Sequence, residues 1–195
     1  MTVSTSKSHP PGRPRNAALD DRILAATLRH LAEFGYSRMS IDAIAEEAGV
    51  SKPTLYRRWS GKADLATAAL TLIRIAEPPP ATGDTLEDLK MALRNFSKSL
   101  LRPNGMALIG TVLAEEEHTP DLLRLFRERL VTPRRAILRE ILRRGQDRGQ
   151  IAAAADIEAA ANLLVGSFYA RYLEGQPIEE EWADRVATIV WTGLR

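Results

Sequence analysis

Between Tyr36 and Lys62 the chain reads YSRMSIDAIAEEAGVSKPTLYRRWSGK, two short helical stretches joined by a tight glycine turn, and no other segment restricts the fold as much. Ser40 is a good N-cap residue. After it Ile41, Ile44, Ala45 and Ala48 recur at three-and-four spacing and share one helical face, with Asp42, Glu46 and Glu47 elsewhere. Gly49 stands where a helix ends in a left-handed residue, and Val50 can plug the corner. Ser51 offers a second N-cap and Pro53 falls in a first turn, where a missing N–H costs little, so a second helix is expected from about Ser51. Leu55 and Trp59, four residues apart, can anchor it to the first. Lys52, Thr54, Tyr56, Arg57 and Arg58 are left facing outward, a set of donors, cations and one aromatic that suits phosphates and base edges in a DNA major groove. Ser60-Gly61-Lys62 makes another turn with a cation at the start of the next helix, where side chain and helix N-terminus can share a phosphate. An ordinary helical hairpin with a solvated basic face has the same pattern, so both readings stay open at this level.

The segment resembles the N-terminal domain of TetR-type (tetracycline-repressor-like) transcriptional regulators on Ala48-Gly49-Val50-Ser51-Lys52-Pro53-Thr54-Leu55-Tyr56, then Trp59, then Gly61-Lys62. Upstream, ILAATLRHLAEFGYSRMS is similar to that family's first helix, closing on a Phe34-Gly35-Tyr36 corner. The resemblance is specific from about Leu19 to Leu70 and weak beyond. It implies an all-α fold, with an N-terminal three-helix helix-turn-helix DNA-binding domain and a larger C-terminal helical domain for ligand binding and dimerisation. By match to the family, Lys52, Pro53, Thr54 and Arg57 lie nearest the bases. Ser40, Tyr56, Arg58 and Lys62 are placed for phosphates, and Ser51 belongs to the same DNA-binding set. The chain departs from the common pattern at Pro53, often glycine, and at Arg57-Arg58-Trp59, often histidine and phenylalanine. Arg57 can bind a guanine bidentately where a histidine could not, which alters the expected base preference.

Composition narrows the function classes. With 45% hydrophobic residues in 195, the chain can bury a core, and without cysteine it has neither disulfides nor thiolate chemistry. No apolar run approaches the ~18 residues that span a bilayer, and the leader MTVSTSKSHPPGRPRN lacks a signal peptide's hydrophobic region, so a soluble cytoplasmic protein with no membrane partner is expected. The net charge is only +2, but residues 1–62 hold ten Lys and Arg against six Asp and Glu, whereas the remainder is slightly acidic. Positive charge therefore gathers where the DNA motif lies. In the leader, Gly12-Arg13-Pro14 resembles the core of AT-hook peptides, so Arg13 and Arg15 are candidates for a minor-groove arm; a flexible tail with incidental cations is the equal alternative.

Three regions are expected: a basic arm over 1–18, the DNA-binding domain with its connecting helix over 19–76, and a regulatory and dimerisation domain over 77–195. The helix ADLATAALTLIRIA is stopped by Glu77-Pro78-Pro79-Pro80-Ala81-Thr82-Gly83. TLEDLKMALRNFSKSLL has helical spacing at Leu86, Leu89, Leu93, Phe96 and Leu100, capped by Asp84 or Thr85. GMALIGTVLAEEEH reads as a short, deeply buried helix. A long helix opens at Thr119-Pro120-Asp121 and runs to about Gly145, with Pro133 forced to kink or interrupt its hydrogen bonds. The cationic stretch Arg134–Arg148 reads as a solvated face.

Asp156 caps IEAAANLLVGSFYARYLEG, where small Ala159, Ala160 and Gly166 allow close approach and Leu163, Leu164, Phe168 and Tyr172 add bulk. EEEWADRVATIVWTGLR carries Trp182, Val186, Ile189 and Val190. A helix apolar nearly all round must be covered. The resemblance implies a homodimer through these last two helices; closure of the monomer core alone is the other reading. A two-fold dimer would place recognition helices about 34–36 Å apart on a near-palindromic operator.

The resemblance also implies a C-terminal pocket for a small apolar or amphipathic effector whose filling swings the helix after Lys62. Phe96, Met106, Leu113, Phe126 and Tyr169 are candidate lining residues, with plain core the competing reading. No cofactor is expected, and nothing reads as an enzyme site: there is no GxGxxG or Walker loop, and Glu115 with His118 at i, i+3 supplies only two metal ligands. A ligand-independent regulator or nucleoid-associated protein is the rival, favoured by a collapsed C-terminal core and disfavoured by a cavity of a few hundred Å³.

Overall fold

The computed structural model describes residues 17–73 and 81–195, and ten α-helices make up those residues with no strand among them. The arm residues Arg13 and Arg15, and the expected boundary at 76/77, lie outside the described residues.

The first helix, α1 (Ala17–Arg38), turns a corner at Gly35, whose φ of 73° and ψ of 174° suit glycine alone. α2 (Ile41–Glu47) starts on Ser40, whose hydroxyl accepts from the Ala43 N–H at 3.3 Å, and packs Ile44 and Ala45 inward. It closes through Gly49 at φ 65°, with the Val50 N–H on the Ala45 carbonyl at 2.9 Å, a capping turn that needs a left-handed residue there. α3 (Lys52–Tyr56) follows with Pro53 in its first turn and Leu55 buried. α4 (Lys62–Leu70) is shorter than its sequence suggests: it ends at Leu70, and Thr71–Ile73 continue as tighter turns with N–H groups on carbonyls three residues back.

The remaining helices are α5 (Thr85–Leu100), capped by Asp84, α6 (Gly105–Leu113), α7 (Pro120–Phe126), α8 (Thr132–Asp147), α9 (Ile157–Leu173), capped by Asp156, and α10 (Glu180–Gly193). α7 and α8 are one rod joined by a π-helical turn, Arg127–Val131, in which the Thr132 N–H reaches back to the Arg127 carbonyl. The turn explains how Pro133 is accommodated. Widening the ladder before a proline removes the clash between its ring and the carbonyl four residues earlier.

α6 differs from expectation, since Leu108, Ile109 and Val112 are buried but Leu113 is exposed, so only one face is covered. The core behind it centres on Phe168 of α9, whose ring meets Phe96, Trp182 and Tyr172 at centroid distances of 5.4, 5.8 and 6.2 Å. α5 packs against α8, α9 and α10, while α1 and α4 lie against α6, α7 and the π turn. No described helix is long and apolar enough to cross a membrane.

Candidate DNA interface and interior cavity

The side chains expected to read DNA fall into two groups once their partners are known. Tyr56 and Arg57 project from α3 and its end. Tyr56 is 51% exposed, and among the described residues its hydroxyl has no hydrogen-bond partner. The Arg57 guanidinium donates to the Thr54 hydroxyl at 3.1 Å, and Thr54 in turn meets the Ser51 hydroxyl at 2.9 Å. Ser51 therefore does not cap α3 through its side chain as its position suggested; its hydroxyl joins Thr54 and Arg57 in a surface network. Lys52 sits at 2.9 Å from Asp42 of α2, and the hydrogen bond to that carboxylate raises its pKa. Both groups are well exposed, so a phosphate can take Asp42's place at little cost, since exposed pairs contribute about 0–1 kcal/mol.

Arg58 and Lys62, expected at phosphates, both have partners within the protein. Arg58 pairs with Asp20 of α1 at 2.5 Å, and with both side chains about three-quarters shielded it braces the end of α3 against α1. Lys62 donates to the Ser37 carbonyl at 3.0 Å and lies 4.8 Å from the Tyr36 ring centroid, and burial lowers its pKa. Ser40 spends its hydroxyl on the α2 cap. Glu115, which the sequence offered only as a weak metal ligand, bonds the Ser37 hydroxyl and so ties α1 to the segment after α6. No group of three or more metal-ligating side chains occurs among the described residues.

A second junction runs from α4 to the π turn. Arg129 pairs with the Asp64 carboxylate at 2.7 Å and donates to the Asp64 carbonyl and the Thr67 hydroxyl at 3.1 and 3.0 Å. Burial works to raise the Asp64 pKa, but hydrogen bonds from the Ser60 N–H, Arg129 and the Ser60 hydroxyl outweigh it and hold the carboxyl below its usual range. Further along, Arg134 donates to the Ile73 carbonyl at 2.5 Å.

Behind that junction a cavity of about 180 Å³ lies between α5, α8 and α9, lined by apolar Ala92, Phe96, Val131, Ile137, Leu138 and Val165 together with Asn95, Arg134, Arg135 and Tyr169. Of the lining expected from sequence, Phe96 and Tyr169 are there. Phe126 is in the core, Met106 packs partly buried beside it, and Leu113 faces solvent. Arg134 and Arg135 were missed because they begin a cationic run that reads as a solvated face; farther along it Arg139 pairs with Glu158 at 2.6 Å.

α9 and α10 leave apolar side chains uncovered. Leu163 is 62% exposed and Ile189 72%, and they border a groove with Ala159, Val186 and Gly193, whereas Ala160, Leu164, Phe168 and Trp182 are buried within the protomer.

Residues 23–69 match the family described as "Bacterial regulatory proteins, tetR family", and residues 79–190 match "Tetracyclin repressor-like, C-terminal domain". The chain belongs to the TetR family. It is thus a helix-turn-helix DNA-binding transcriptional regulator and not an enzyme. The uncharacterised HTH-type transcriptional regulator Rv1556 of Mycobacterium tuberculosis is 39% identical over 159 residues, 80% of this chain and 75% of that protein. The "DNA-binding transcriptional repressor TetR" of Mycobacteroides abscessus is 30% identical over 90% of each chain. The solved TetR family regulator SCO0332 superposes with a TM-score of 0.69 at 27% identity, covering 91% of this chain and 98% of that one. FadR of Bacillus subtilis in complex with stearoyl-CoA shares the fold, with a TM-score of 0.71 at 21% identity over 90% and 99% of the two chains.

Proposed function

We propose that this TetR-family protein is a homodimeric cytoplasmic repressor whose two α3 helices bind a near-palindromic operator and which is released when a small molecule fills the α5–α8–α9 cavity. The exposed α3 face carries the DNA half of this reading. Arg57 with Thr54 and Ser51, flanked by Tyr56, Lys52 and Pro53, is the surface that meets bases and adjoining phosphates. Arg58 acts by bracing α3 on α1, and Lys62 and Ser40 hold the turns around it. The exposed Leu163 and Ile189 support a two-fold contact through α9 and α10, since apolar surface of this kind is normally covered by a partner. The regions 1–18, 19–76 and 77–195 then serve as arm, reading head and sensing and dimerising body.

Ligand control is supported by the cavity. Its volume is below the ~300–1,000 Å³ of drug-sized pockets, which fits a small effector, and its apolar walls with a few polar groups are the usual make-up of a ligand site. That the abscessus relative is named a repressor and that FadR was solved with stearoyl-CoA agree with this reading.

Selection of bound DNA from a randomised library at two salt concentrations tests the DNA half. A palindrome with half-sites about one helical turn apart is the expected result, and only salt-sensitive, sequence-blind binding would favour the nucleoid-associated rival. Deleting residues 1–15 tests the arm: unchanged operator affinity and salt slope would remove Arg13 and Arg15 from the interface.

A further inference from the structure

We infer that the cavity takes an amphipathic carboxylic acid, with its apolar part among Phe96, Val131 and Val165 and its carboxylate on Arg134, and that Arg134 exchanges the Ile73 carbonyl for that carboxylate. This rests on the effector-controlled reading above and names its ligand class. The cavity wall is mostly apolar, and its polar lining residues are Asn95, Arg134, Arg135 and Tyr169. Among the described residues Asn95 and Tyr169 make no side-chain hydrogen bond, and Arg134 makes one, to a neutral carbonyl, with no carboxylate paired to it. Half-buried charges are ordinarily paired, and a guanidinium offers a fork of donors that matches a carboxylate bidentately. Its neighbours in the cationic run are already matched: Arg135 bonds the Asn162 amide oxygen at 2.6 Å and lies 3.7 Å from Glu158. Both arginines line the cavity, and among the described residues Arg134 is the one of the two with no carboxylate paired to it. A neutral or cationic ligand would leave it as it is or oppose it.

Size limits the apolar part. The cavity has about 180 Å³, below the ~300–1,000 Å³ of drug-sized pockets. That admits a ring or short chain with one polar end and excludes a long acyl thioester unless the helices part. Position gives the exchange its consequence, because Ile73 lies three residues past the end of α4 and its carbonyl is what ties that end to α8. A carboxylate is the stronger acceptor for the same donors, so binding loosens this tie.

The test compares hexanoate, octanoate and 4-methylbenzoate with hexanol, octanol and 4-methylbenzyl alcohol, reading affinity by calorimetry and operator release by fluorescence anisotropy on the full chain. At least one acid is expected to bind about tenfold or more tighter than its alcohol, with the preference lost in Arg134→Met and largely kept in Arg134→Lys. Equal binding of every acid and its alcohol, no binding by any acid, or a preference that survives in folded Arg134→Met would overturn the assignment; the wild-type comparison decides even if that variant does not fold. The two readouts separate the readings. An acid that binds through Arg134 but leaves the operator complex intact retains the ligand class and removes effector control, whereas release by alcohols as readily as by acids does the reverse.

Discussion

Replacing Arg129 with alanine isolates the contact between the π turn and α4. Three bonds are lost: the pair to the Asp64 carboxylate at 2.7 Å and the donations to the Asp64 carbonyl and the Thr67 hydroxyl. A charge-assisted bond to a shielded partner contributes about 1.5–3 kcal/mol. Arg129 is 35% exposed, which scales that value down towards the ~0–1 kcal/mol of surface pairs. Asp64 keeps two bonds from Ser60 to Oδ2 and Thr67 keeps its bond to the Ala63 carbonyl, so only Asp64 Oδ1 loses its partner. Arg129→Ala should therefore destabilise the fold by about 1–2 kcal/mol, or roughly 2–8 °C in Tm for a chain this long. Urea unfolding as a function of pH identifies the cause. Asp64 has its native pKa below its unfolded value, so it contributes stability above the unfolded pKa and loses it as pH falls through the native one. Arg129 supplies part of that depression, so the gap between wild type and variant should be level from pH 7 down to the usual aspartate range of about 4 and narrow below it. A gap under about 0.5 kcal/mol at neutral pH, or one that stays constant to pH 3, would refute the assignment of this contact.

Other consequences can be measured directly. Arg57→Ala should relax operator specificity at one position per half-site by about 1–3 kcal/mol while changing random-DNA affinity far less, and equal losses on both would exclude base contact. Ile189→Glu combined with Leu163→Glu should give a folded monomer in sedimentation, since both side chains are already exposed within the protomer; an unchanged dimer would move the interface elsewhere. Gly145→Ala should lower stability by about 1–2 kcal/mol despite a better helix propensity, because the new methyl would stand 2.8 Å from Thr85 Cγ2 and 2.9 Å from Ile151 Cδ1. Thermal unfolding at or above the wild-type midpoint would show that those two side chains yield freely.

What the sequence disclosed was local. Ser40, Ile44, Ala45 and Gly49 announce α2 and its end because capping and a 3.6-residue period act within one turn of the chain. Asp84 and Asp156 cap α5 and α9 for the same reason. The roles of Arg58, Arg129 and Arg134 were not legible, since each is set by a partner 38 to 65 residues away in sequence. A cation reads alike whether it will meet a phosphate, a carboxylate or a carbonyl. Pro133 signalled a disturbed helix, but only packing decided that it would be a π turn with Arg129 on one side and Val131 on the other.

Under the proposed effector control, that turn is the route from the cavity to α3. Val131 lines the cavity, and Arg129, two residues earlier in the same turn, grips Asp64 at the start of α4. Asp64 accepts from both the N–H and the hydroxyl of Ser60, which lies three residues past Arg57. The far end of α4 is tied by Arg134 to the Ile73 carbonyl. α4 spans about 13 Å at 1.5 Å per residue, and both ties come from neighbouring turns of the α7–α8 rod. A rod that shifts at the cavity must carry α4 with it or break one of these bonds, and either outcome changes the support under α3. Coupling of this kind requires that the two ties act together, so a double-mutant cycle on Arg129→Ala and Arg134→Met, read as operator affinity, should be non-additive by 0.5 kcal/mol or more in magnitude. Strict additivity would mean that the two ends of α4 respond independently and that the cavity speaks to DNA through another route.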